Sequence, residues 1–274
     1  MAFRKYLKYR PRRYRKKPTK LVKKALVKVR NSNFKKKVLS VIHQQNETKQ
    51  AFNGIAYVNF NSAISGLADV GRIIPNIGVG ANDYQRIGDQ IRAQKLTFDC
   101  IVQFPPITGT TLHNNPGACR IGVRIMIVTP KSYPNWASAS TAPSDWTQWL
   151  LKTGGTTHGF DGNVSDLYAK VNTDAITCHY NKVMYMNQPY VLHNGSTTDV
   201  AMSTAGLTRH IRKVFNFRNA LFKYDANIDG GLTPANRGMF FVLGYCYTDG
   251  STSPDIITTR VRAQYSAILD YEDA

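Results

Sequence analysis

Few residues in this chain have the types and spacing that chemistry needs. In "GTTHGFDGN", His158 and Asp161 bring an imidazole near a carboxylate, the smallest set that could move a proton. The flanking glycines fit a polar surface loop better. Asp225 and Asp229 in "KYDANIDGG" offer oxygen ligands, but the run lacks the further acids and closing Glu of a calcium loop. A turn is expected there, with weak calcium binding between copies as the remaining metal reading. Cys100, Cys119, Cys178 and Cys246 form no CxxC pair and sit in apolar surroundings, which predicts buried reduced thiols. No histidine has an HxxxH or HExxH partner, and neither GxxxxGK[ST] nor GxSxG occurs. The expectation is a protein that is not an enzyme and needs no cofactor or metal.

The strong signal is charge. Between Arg4 and Lys37 stand seventeen basic residues and no acid. They are Arg4, Lys5, Lys8, Arg10, Arg12, Arg13, Arg15, Lys16, Lys17, Lys20, Lys23, Lys24, Lys28, Arg30, Lys35, Lys36 and Lys37. The whole chain of 274 residues carries 36 Lys and Arg against 17 Asp and Glu, a formal charge of +19. Everything beyond Lys37 is nearly balanced, with 19 basic and 17 acidic residues. Such asymmetry predicts an arm that meets a polyanion and a body that does something else.

Within the arm, cations alternate with Tyr6, Tyr9 and Tyr14, and Pro11 and Pro18 interrupt the run. Like charges at this density repel, so the arm is expected to be disordered when free. Its cations suit phosphates and its tyrosines suit unpaired bases. "KLVKKALVKVR" differs: Leu21, Val22, Ala25, Leu26 and Val29 recur at helical spacing among lysines. That predicts a short amphipathic helix, lying on nucleic acid, under a protein shell, or on an anionic membrane. The arm is assigned residues 1–45 and the body residues 46–274.

The body switches to a period of two. Leu96, Phe98, Cys100, Val102 and Phe104 share one face of "KLTFDCIVQF". In "CRIGVRIMIV" the apolar face is Ile121, Val123, Ile125 and Ile127, opposite Arg120, Gly122, Arg124 and Met126. In "RVRAQYSAIL" it is Val261, Ala263, Tyr265, Ala267 and Leu269, opposite Arg260, Arg262, Gln264 and Ser266. These patterns predict half-buried antiparallel strands, and the continuous apolar run "MFFVLGYCY" predicts a strand covered on both sides. Residues 52–60, 176–186 and 212–218 are further strands, giving seven or eight. "SDWTQWLL" predicts a helix capped by Ser144, with Trp146, Trp149 and Leu150 on one face. Short strands, long loops and no βαβ alternation predict an all-β sandwich, barrel or jelly roll.

Several stretches resemble a known family. "YQRIGDQIRAQKLTFDCIVQF", with its Arg86-Ile87-Gly88 signature, resembles the approach to the third strand in capsid proteins of small circular Rep-encoding single-stranded DNA viruses. "RHIRKVFNFRN" and "QYSAILDYED" resemble late strands of those proteins, and "RKYLKYRPRRYRKKP" resembles the arm of circovirus-like capsids, though richer in Lys. The resemblance implies a single eight-stranded antiparallel jelly roll. It also implies a homo-oligomeric icosahedral shell of some sixty copies or a small multiple, packaging a single-stranded DNA genome around the internal arm. Capsids of small RNA viruses share the plan, so RNA stays open. It further implies a virion protein with an unidentified host receptor. The basic clusters also read as a nuclear address, which predicts assembly in the host nucleus, and no segment reaches about 18 apolar residues, so no stable membrane insertion is expected.

Two other classes compete: a monomeric nucleic-acid-binding protein with a β body, and a cationic membrane-active protein with a lectin-like body. For the shell reading, Trp136, Trp146 and Trp149 are candidate contact aromatics. Arg120, Arg124, Arg260 and Arg262 are expected to line the inner wall, if their two strands belong to the inward sheet.

Overall fold

The chain alternates between two antiparallel sheets, each of which turns an apolar side toward the other. The computed structural model describes residues 48–103, 120–187, 191–192, 200–201, 208–248 and 261–274, with Phe34, Lys37 and Val38. Residues Thr48–Ala274 form one unit and Met1–Glu47 another. The strands are β1 (Lys49–Phe60), β2 (Val70–Arg72), β3 (Gln90–Gln103), β4 (Arg120–Pro130), β5 (Leu151–Thr153), β6 (Thr156–His158), β7 (Lys170–Val171), β8 (Ile176–Asn187), β9 (Val191–Leu192), β10 (Val200–Ala201), β11 (Thr208–Lys223), β12 (Phe240–Tyr247) and β13 (Val261–Asp273).

One four-stranded sheet has the order β1-β13-β3-β11 and the other β2-β12-β4-β8. Taken in chain order, the eight strands of these two sheets change sheet at every step except β4 to β8, which is the winding of a jelly roll. The fold is therefore an eight-stranded antiparallel jelly roll, as the alternation and the resemblance suggested. The short β2 carries too few residues to show a period, and sequence reading missed it.

Between the sheets lies the main core. Leu96, Phe98, Cys100 and Val102 from β3 meet Val261, Ala263, Tyr265, Ala267 and Leu269 from β13. From the other sheet come Ile121, Val123, Ile125 and Ile127 of β4 with Phe241, Leu243 and Tyr245 of β12. The rings of Phe98, Phe241 and Tyr265 lie with centroids 5.4–5.9 Å apart. Phe104 and Cys119 lie outside the described residues. Cys100, Cys178 and Cys246 are free thiols. Burial pushes the Cys100 thiol up to about 12 and Cys246 up to about 11.

A second core corrects one expectation. β4 was predicted to be half-buried, but it is buried from Ile121 through Val128. Residues 131–175 fold over the outer side of β4 and β12. They form helices α1 (Trp136–Thr141), α2 (Pro143–Thr147) and α3 (Val164–Tyr168) and the small sheet β6-β5-β7. Trp146, Leu150, Phe160 and Leu167 of this insertion bury Met126, Val128, Phe240 and Val242. Gly122 and Gly244 make the close approach possible: a Cβ at either would overlap Leu167 or Phe160.

The helix expected in "SDWTQWLL" ends at Thr147, with Pro143 rather than Ser144 opening it. Trp146 and Leu150 are buried, while Trp149 is 44% exposed, so the three do not share a face. Helix α1 was read as loop; its signal was Asn135, whose side chain accepts a hydrogen bond from the Ser138 N–H at 2.8 Å.

Candidate nucleic-acid interface

Of the predicted contact residues in the arm, only Lys37 is described, and it is exposed. The other sixteen cations, together with Tyr6, Tyr9 and Tyr14, lie outside the described residues, as does Arg260. The remaining predicted body cations part company. Arg120 is exposed, with its guanidinium 4.2 Å from the Tyr185 ring centroid. Arg262 is exposed and its Nε donates to Asn59 Oδ1 at 3.0 Å.

Arg124 is corrected outright. It is buried, with Nε donating to Asn181 Oδ1 at 3.1 Å and Nη1 to the Asp166 carbonyl. Desolvation lowers its pKa, with Cys178 and Asp166 opposing. Its task is to seat α3, because the insertion covers that side of β4. The single-wall arrangement is corrected too. β4 belongs to one sheet and β13 to the other, so their outward sides point to opposite faces of the sandwich.

The proposed proton-transfer pair also dissolves. The His158 ring contacts Thr153 Oγ1 and the Gly159 carbonyl, and its nearest carboxylate is Asp166 at 3.8 Å. Asp166 is buried and accepts from the backbone N–H groups of Asp161 and Asn163, pinning the start of α3. Asp225 closes a turn by accepting from Asn227, and Asp229 accepts from Thr233 Oγ1 at 3.0 Å. Both act in local turn structure. Of the three tryptophans, Trp146 belongs to the core. Trp136 stacks on Phe240 and lies under Arg72, leaving Trp149 as the exposed one.

Sequence reading missed a cation cluster. β11 and β8 are the edge strands of the two sheets and lie beside each other at one margin of the sandwich. The residues that join them are cations on aromatic rings. Lys213 Nζ lies 4.8 Å from the Tyr180 ring centroid, and Arg209 Nη2 donates to the Tyr185 carbonyl at 3.2 Å. Tyr185 also meets Arg120 and touches the hydroxyl of Tyr168, which is 68% exposed. Further along, His179 packs edge-on against Phe215. Desolvation, then the Arg237 charge, lowers the His179 pKa. His179, Phe215, Phe217 and Arg237 line an open groove of about 370 Å³. The available signal was "TRHIRKVFNFRNALFK", five Lys and Arg without one acid.

Most of the charge there is unmatched. On β11 itself only Arg212 among the described cations lies near a carboxylate, 3.9 Å from Asp99, while elsewhere Lys49 pairs with Asp273, Lys95 with Asp270 and Lys152 with Asp174. Among the described residues, no carboxylate lies within ion-pair distance of Arg120, Lys182, Arg209, Lys213 or Arg237.

No protein-family model and no curated protein matches the chain. Among solved structures it is similar to a chain from the cryo-EM structure of mud crab tombus-like virus. Identity is 11%, covering 84% of this chain and 90% of that one, with a TM-score of 0.30. It is also similar to Merkel cell polyomavirus VP1, solved in complex with 3'-sialyllactosamine. Identity is 9%, covering 82% and 94% of the two chains, with a TM-score of 0.20. The jelly-roll assignment rests on the strand order itself.

Proposed function

We propose that this chain is a viral coat protein that assembles into a closed shell and packages single-stranded nucleic acid through its basic arm. The observation that carries this is the joining of two features in one chain. A jelly roll wound through two four-stranded sheets is joined to an opening segment of seventeen cations without an acid. A structural body of nearly balanced charge suits contacts between copies, and an arm of that charge suits a polyanion. Among the described residues, no three His, Cys, Asp or Glu side chains are grouped so as to hold a metal ion.

Closed homo-oligomers are the ordinary form of repeated assembly. With about sixty copies, the arms together supply roughly a thousand positive charges, enough to offset a comparable number of phosphates. Single strands suit the arm better than duplex, because duplex DNA is stiff over about 150 base pairs. The resemblance of residues 84–104 favours circular DNA, with assembly in the host nucleus. Sensitivity of the packaged polymer to deoxyribonuclease or ribonuclease, after the particles are opened, separates DNA from RNA. The primary test is negative-stain microscopy and size-exclusion chromatography of purified full-length protein. Closed particles of megadalton mass are expected. A monodisperse monomer that binds nucleic acid would instead favour a monomeric binding protein.

A further inference from the structure

We infer that the margin formed by β8 and β11 is a second, body-borne binding site for single-stranded nucleic acid. It would grip phosphates with Arg120, Lys182, Arg209, Lys213 and Arg237. Tyr168, and the groove walled by His179, Phe215 and Phe217, would accept bases. The inference deepens the packaging reading and borrows its ligand class from that reading, but the site stands on its own geometry.

Two observations carry it. The first is charge. The body beyond Lys37 is nearly neutral overall, yet these five cations have no carboxylate partner among the described residues. An unpaired cation on a surface is ordinary; five along one margin make a positive field that concentrates polyanions.

The second is order. Arg120 and Lys213 are held over the rings of Tyr185 and Tyr180, and Arg209 is fixed to the Tyr185 carbonyl. Side chains held in place lose less freedom on binding than free ones. From His179 to Tyr185 the margin runs for six residue steps, about 20 Å at strand spacing, which suits several nucleotides of an extended strand. Cations interleaved with aromatic surfaces are what sequence-tolerant single-strand sites use.

Edge strands also carry Lys and Arg merely to discourage pairing with other chains, so the test must separate binding from edge protection. It uses the full-length chain and a fluorescent oligothymidylate, with anisotropy titrations over a range of salt. In the variant R209Q/K213Q/R237Q the arm is intact. The slope of log affinity against log salt should fall by about 2, three phosphates at about 0.7 each. The variant K131Q/K152Q/K170Q removes the same charge elsewhere and should leave the slope near that of the parent. Ultraviolet cross-linking of the unmodified chain should place adducts in peptides spanning 176–187 and 208–223 as well as in the arm. Cross-links confined to the arm, with equal slopes in both variants, would overturn the inference. So would aggregation, or loss of contact between copies, at an unchanged slope. If the unmodified chain binds no oligonucleotide at all, it is the packaging reading that fails.

Discussion

The Arg86 guanidinium stacks on the Tyr224 ring, 4.4 Å from its centroid, and ties together loops far apart in the chain. Arg86 is buried; its N–H groups reach the carbonyls of Ile77, Gly88 and Gly231. Gly88 sits at φ +86, where a side chain would be strained, which explains why a glycine follows this arginine so closely. The Arg86-Ile87-Gly88 signature is therefore a structural clasp between the approach to β3 and the turn after β11. Arg86→Ala should cost about 3 kcal/mol or more, because buried carbonyls lose charged donors. Arg86→Lys should rescue little of it, since one ammonium cannot reproduce the planar fork. Denaturant unfolding at constant slope measures both. Tyr224→Phe should be neutral or slightly stabilising, because the Tyr224 hydroxyl is buried without a hydrogen-bond partner among the described residues.

The two interior glycines give a sharper packing test. Gly122→Ala and Gly244→Ala should each lower stability by about 1–3 kcal/mol, since overpacking forces Leu167 or Phe160 off the sheet. Thermal unfolding reads the loss. Gly66→Ala has open space around the new methyl group and should show no such effect.

The tryptophans should separate folding from assembly. Trp146→Ala empties a buried site and should destabilise the body by about 3–5 kcal/mol. Trp149→Ala removes a half-exposed ring and should leave circular dichroism and melting nearly unchanged while reducing particle yield. Full particle yield from Trp149→Ala would remove Trp149 from the contact surface.

Thiol chemistry should follow the pKa directions. Burial holds Cys100 near 12 and Cys246 near 11, so both remain protonated at pH 8, and the thiolate is the reactive form. Alkylation of the native chain at pH 8, mapped peptide by peptide, should leave these two unmodified. Raising the pH toward their pKa values should increase labelling, Cys246 before Cys100.

The fold was legible wherever one face of a strand was apolar and the other polar. β3 over residues 96–102 and β13 over residues 261–269 alternate as the sequence does, since over those stretches each has core on one side only. β4 misled because it reads as alternating, yet its second side is covered too. Gly122 and Met126 fit under the insertion, and Arg124 donates there to Asn181 Oδ1 and the Asp166 carbonyl. A period-two pattern cannot reveal a lid made of residues 131–175. The margin cluster was hidden for another reason. Lys213 and Tyr180 are distant in sequence, and only the winding of the jelly roll makes two edge strands neighbours.

The most direct test of the packaging claim compares particles of the full-length chain with those of a chain lacking residues 1–37. The quantity measured is nucleic acid per particle, from the ratio of nucleic-acid to protein absorbance and from nuclease-protected phosphate. Particles of the full-length chain should carry nucleic acid. The shortened chain should keep its folded body, and any particles it forms should be nearly empty, with only the weak contribution of the body margin remaining. Equal nucleic-acid content in the two particles would contradict the account.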